Sequence, residues 1–89
     1  MLLAIDIGNS HTVIGLFDGS EIRHRWRIST DTRRSVDEVF LLIEGLMRTV
    51  SRPTEDVDGM IVSSVVPPTT PVFVDMARQY MKLEPMVVG

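Results

Sequence analysis

Residues 2–17 read LLAIDIGNSHTVIGLF, two apolar runs with the turn-forming stretch Asp6–Ser10 between them. No other feature constrains the fold as tightly. Each run is too short for a helix, and Gly8-Asn9-Ser10 interrupts any helix drawn through both. The chain must therefore start as two strands folded back on each other. Leu2–Ile5 is apolar at every position, the pattern of a strand buried on both faces in the middle of a sheet. The second run closes at Asp18-Gly19, a hairpin signal. Beyond it, EIRHRWRI alternates: Ile22, His24, Trp26 and Ile28 share an inward face, while Glu21, Arg23, Arg25 and Arg27 share a solvated one. The opening is a three-stranded antiparallel meander.

A polar stretch, STDTRRS, leads to Ser35 and Glu38, spaced as a capping box. After it Val36, Val39, Phe40, Ile43, Leu46, Met47 and Val50 recur at helical spacing. Pro53 and Glu55-Asp56 predict a loop, and GMIVSSVV a buried strand stopped by Pro67-Pro68. Thr70-Pro71 begins a second helix with proline at its first position, carrying Phe73, Met76, Ala77, Tyr80 and Leu83 inward. PMVV starts a last strand, and a chain that stops on a strand is expected to continue past Gly89. The order βββαβαβ requires two right-handed crossovers and adds parallel strands to the meander. It matches the α/β ribonuclease H-like order without that fold's last helix.

Eighty-nine residues make one small domain or a part of a larger one. With 44% hydrophobic and 24% charged residues, the composition is that of a soluble globular protein. The net charge of −3 gives no general attraction to nucleic acid or anionic membrane. Without cysteine there is neither a disulfide nor a thiolate metal site. No secretory leader is visible, and no apolar run approaches the roughly 20 residues of a membrane span. The expectation is a cytoplasmic protein with no membrane partner.

The chemistry lies in AIDIGNS. A carboxylate, Asp6, ends a central strand, where open α/β sheets bind ligands. Gly8 permits the turn and a close approach of phosphate to backbone. Asn9 and Ser10 add an amide and a hydroxyl beside free N–H groups, so the turn suits phosphate oxygens, with Asp6 holding Mg²⁺ directly or through water. The same residues also suit an ordinary β-turn. Other candidates carry less. Five of the nine basic residues fall between Arg23 and Arg34, the usual mark of a solvated strand face. Trp26 lies on the opposite face from those arginines, so no base-stacking platform forms. His11 lies beside the turn and His24 in the meander, neither with zinc-ligand spacing. Ser63-Ser64, mid-strand, suits close packing of a helix better than a hydroxyl aimed at substrate.

Taken together, LLAIDIGNSHTVIGLFDG, HRWRISTD and SSVVP at these spacings resemble the N-terminal part of type III pantothenate kinases, also called Bvg accessory factor-like proteins. That family falls in the acetate and sugar kinase, heat-shock chaperone and actin superfamily. The resemblance runs over essentially the whole chain. It implies ATP-dependent phosphorylation of pantothenate, the first step of coenzyme A synthesis, with Mg²⁺ and a monovalent cation, K⁺ or NH₄⁺. It assigns the first phosphate motif to Asp6, Ile7, Gly8, Asn9, Ser10, His11, Thr12 and Val13, with Ser10 where many members carry threonine. It implies a homodimer. The family's catalytic aspartate, pantothenate-binding arginine, second phosphate motif and cation site have no counterpart in these residues. Residues 1–89 are thus expected to be an N-terminal ribonuclease H-like subdomain with no catalytic residue and no activity alone, the C-terminal domain being absent from this chain.

Two other functional classes bear on the same residues. A ribonuclease H-like nuclease needs further carboxylates at the ends of neighbouring strands. The candidates are Asp58, which precedes its strand at the wrong end, and Glu84. A regulatory binding module is the other, but no helix-turn-helix pattern appears and the net charge opposes DNA binding.

Overall fold

The computed structural model describes residues 1–88. Three antiparallel strands open it: β1 (Leu2–Ile7), β2 (His11–Asp18) and β3 (Glu21–Ser29). Helix α1 (Val36–Thr49) crosses to β4 (Gly59–Ser64), and α2 (Thr70–Met76) crosses to β5 (Met86–Val88). The five strands form one mixed sheet in the order β3-β2-β1-β4-β5, with β4 parallel to β1 and β5 parallel to β4. β1 is therefore the central strand of the five. None of the described helices is long and apolar enough to cross a membrane.

Helix α1 starts at the expected box. Glu38 N–H donates to Ser35 Oγ at 3.2 Å, and Ser35 N–H donates to the Glu38 carboxylate at 2.9 Å. Val39, Ile43 and Met47, four residues apart, are the stripe it buries. They meet Leu3, Ile5, Ile7, Ile14 and Leu16 from the sheet, with Met60 and Val62 of β4 and Phe73, Met76 and Ala77 of the second helix completing the core. Burial of each such side chain contributes about 1.5–3 kcal/mol before entropy is counted. The helix stops where Ser51 takes a left-handed φ of 58° and Arg52 N–H turns back to Met47 O at 3.0 Å.

The structure departs from the sequence expectations at several points. Both crossovers run the same way along the sheet, so both helices cover the same face. On the other face Leu2 and Ala4 are only half-buried and Asp6 is exposed; β1 is not buried on both sides. Within β3, Leu16 pairs with His24 but Phe17 pairs with Ile22, so Arg23 is the extra residue of a β-bulge. The bulge moves Ile22, 49% exposed, off the face of His24, Trp26 and Ile28 and beside Gly15 and Phe17 on the open face. The second helix follows a 3₁₀ turn over Pro67–Thr69 and has Thr69 at its N-cap position without a side-chain cap bond, which places Pro71 second rather than first. Its end widens into a π-helical segment, Ala77–Met81, closed by Lys82 at φ 56°. Tyr80 is thereby turned out of the core to stack on Phe40, ring centres 4.2 Å apart. The loop of Glu55-Asp56 is a short 3₁₀ turn, Thr54–Asp56.

Candidate functional site

The eight residues of the turn motif divide by the pleat of the strands. Asp6, Asn9, Ser10 and His11 are exposed along the rim where β1 passes into β2. Val13 lies half-buried directly across from Asp6 on the open face, and Ser63 of β4 flanks Asp6 on the other side. Ile7 and Thr12 point the opposite way and are buried, so neither offers a side chain to a ligand. The rim is thus a carboxylate, an amide, a hydroxyl and an imidazole around one tight turn.

Gly8 is needed there for a steric reason. A Cβ on residue 8 would stand 3.0 Å from the carbonyl oxygen of His11, the same oxygen that accepts the Gly8 N–H at 2.9 Å. Among the described residues the N–H groups of Asn9 and Ser10 have no protein partner. Two unsatisfied donors on an exposed turn beside a carboxylate suit a ligand that brings both anionic oxygens and a cation.

The turn rests on residues that sequence reading passed over. Thr30, just past β3, donates its hydroxyl to Gly8 O at 2.7 Å, and its N–H to Ser10 O at 2.9 Å. Its Oγ1 is 2.9 Å from that of Thr12, buried beneath the turn. On the other side, Val65 N–H donates to Ile7 O at 3.0 Å, and Ser64 and Thr69 tie down the loop after β4 through Val66 O. Ser64 is therefore a loop fastener, where the sequence suggested room for a close-packed helix; Ser63 alone faces the rim of Asp6. Thr12, Thr30 and Thr69 also border a small, partly open pocket of about 10 Å³, room for roughly one water. A signal was present: Thr12 has the parity of Ile14 and Leu16, and Thr30 that of Trp26 and Ile28, so two inward hydroxyls had to find partners.

The remaining candidates lie apart. Asp58 sits at the far end of β1, where it accepts from the Met1 ammonium at 3.1 Å, and that charge holds its carboxyl below the ordinary range. Glu84 pairs with Arg78 at the end of the second helix, which likewise lowers its carboxyl. Among the described residues no three His, Cys, Asp or Glu side chains converge as a metal cage. A multi-carboxylate nuclease site has no ligand set here. Arg23 pairs with Asp18 and Glu21, and Arg33 with Asp31, while Arg25 and Arg27 stand exposed on the open face without an ion pair among the described residues. His24 is half-buried and stacks on Trp26, centres 5.9 Å apart.

Comparison by sequence with known proteins points to one family. The type III pantothenate kinase profile matches residues 2–89. Proteins of that name from Brevibacillus brevis, Pelobacter propionicus and Geobacillus sp. are 44%, 45% and 39% identical over all 89 residues. The chain spans about a third of their length, 35%, 35% and 34% respectively. In three dimensions it is similar to a Ppx/GppA family member from Aquifex aeolicus, with a TM-score of 0.51 at 12% identity, covering 98% of this chain and 34% of that one. At that identity the likeness is one of fold alone.

Proposed function

The chain belongs to the type III pantothenate kinase family, and from that premise we propose that it is the ribonuclease H-like N-terminal portion of an enzyme transferring a phosphoryl group from ATP to pantothenate. In this reading residues 1–89 supply one wall of the nucleotide site, and a C-terminal domain outside them supplies the pantothenate pocket, the catalytic base and the monovalent-cation site. The whole protein works as a cytoplasmic homodimer.

The observation that carries this reading is the pairing of the exposed Asp6 carboxylate with the unpartnered N–H groups of Asn9 and Ser10. Phosphoryl transfer asks little covalent chemistry of a protein; it needs the phosphates held in line and their charge offset. The turn amides and the Ser10 hydroxyl are placed to hold phosphate oxygens, and Gly8 keeps the backbone open to them. A lone carboxylate fits Mg²⁺, which takes one or two carboxylates and completes its shell with phosphate and water. Asp6 would hold that ion, and the ion when bound supplies charge neutralisation on the phosphates. Ile7 and Thr12 contribute from behind, as support rather than contact.

The test is pantothenate-dependent ADP release by the full-length protein with Mg²⁺ and K⁺ present. Turnover that disappears in Asp6→Asn while the fold is kept supports the reading. A folded wild-type protein without turnover would overturn it and favour a non-catalytic binding module.

A further inference from the structure

We propose that Thr30 is a positioning residue for the phosphate turn, acting through two peptide planes rather than by touching nucleotide. The inference rests on the phosphate-site reading given above and assigns it a residue outside the turn itself. Thr30 Oγ1 donates to Gly8 O at 2.7 Å, and Thr30 N–H donates to Ser10 O at 2.9 Å. A trans peptide is planar, with its C=O and N–H pointing in opposite directions. Fixing Gly8 C=O toward Thr30 therefore aims the Asn9 N–H away from Thr30 and out of the turn. Fixing Ser10 C=O does the same for the His11 N–H. One residue thus sets the direction of the free Asn9 donor and fixes the peptide plane that leaves the turn after Ser10.

The hydroxyl is itself held. A threonine hydroxyl has one proton, and that of Thr30 is committed to Gly8 O. The 2.9 Å contact between Thr12 and Thr30 is then a donation from Thr12. Thr12 is buried and shares its strand face with the core, so it cannot swing to another partner. The relay Thr12 to Thr30 to Gly8 runs one way and leaves the Asn9 N–H free in a fixed direction. Donors aligned before a ligand arrives bind it without paying for reordering of the turn.

The experiment is calorimetric titration of the full-length protein with MgADP, for wild type, Thr30→Val and Thr30→Ser. Valine keeps the shape and loses the donor; serine restores the hydroxyl. Thr30→Val should bind about tenfold more weakly, the size of one lost hydrogen bond to an ordered group, and Thr30→Ser should return to within about twofold of wild type. The KM for pantothenate should stay unchanged. Equal MgADP affinity in wild type and a folded Thr30→Val overturns this inference and leaves the phosphate-site reading standing. Absence of MgADP binding in the wild type overturns both. If Thr30→Val does not fold, the wild type decides: the amide resonances of Asn9 and His11 must shift on saturation with MgADP, and unmoved resonances overturn the inference.

Discussion

Phe40 of α1 and Tyr80 of the widened end of the second helix stack face to face, 4.2 Å between ring centres and 6° between planes. The Tyr80 hydroxyl donates to Asp37, one turn earlier on α1, and that bond raises the tyrosine above its usual pKa. The two crossovers are thus joined outside the core as well as within it. A double-mutant cycle of Phe40→Ala and Tyr80→Ala should show a coupling of about 1 kcal/mol in urea unfolding. Tyr80→Phe should lose little, because the hydroxyl bond is exposed to solvent.

The capping box gives a local prediction. Ser35→Ala removes the acceptor of the Glu38 N–H and should cost about 1 kcal/mol, read as a lower urea midpoint with an unchanged slope. Ser35→Asp should recover most of it.

Ser51 ends α1 in a left-handed conformation, and its side chain is exposed. Non-glycine residues pay about 1 kcal/mol or more there. Ser51→Gly should therefore raise stability by about 0.5–1 kcal/mol, against the usual effect of adding glycine.

Asp58 gives a pH prediction. The Met1 ammonium lowers its carboxyl below 3.8, first through the hydrogen bond and then through charge. A carboxyl depressed by folding stabilises the native state fully above its unfolded value, and the contribution is lost as pH falls through the folded one. Asp58→Asn should thus be slightly less stable near neutral pH and lose less on acidification to about pH 3. The effect is small, because the pair faces solvent. Parallel pH profiles of unfolding for the two proteins would reject it.

Asp6 and Gly8 should separate chemistry from folding. Asp6 is exposed and in no ion pair among the described residues, so Asp6→Asn should leave the thermal midpoint unchanged while abolishing turnover in the full-length enzyme. Gly8→Ala should lower stability by about 1–3 kcal/mol as well, since its Cβ meets a backbone carbonyl rather than a yielding side chain.

Strand and helix positions were legible because apolar runs, turn residues and the Ser35–Glu38 spacing act locally. The exposed part of the candidate site was legible for the same reason: Asp6 to Ser10 are contiguous. What escaped was set by neighbours. Strict alternation placed Ile22 with His24, and only the pairing of β3 against β2 reveals that Arg23 is extra. An all-apolar LLAI implied cover on both faces, but the handedness of the two crossovers decides where the helices go. Thr30 looked like loop because its partners, Gly8 and Ser10, are about twenty residues back in the chain.

The central position of β1 also sets a timetable. Leu2 pairs with Phe17 on one side and with Gly59 on the other. During synthesis the meander can close early, yet one edge of β1 stays unpaired until β4 has emerged, an interval of seconds at about 5–20 residues per second. The turn that ends β1 shares that delay, since Ile7 O waits for Val65 N–H. Although β1 precedes its partners in the chain, it is therefore among the last elements to reach its final shape, and for that interval it exposes a strand edge on which a chaperone or a second nascent chain could pair.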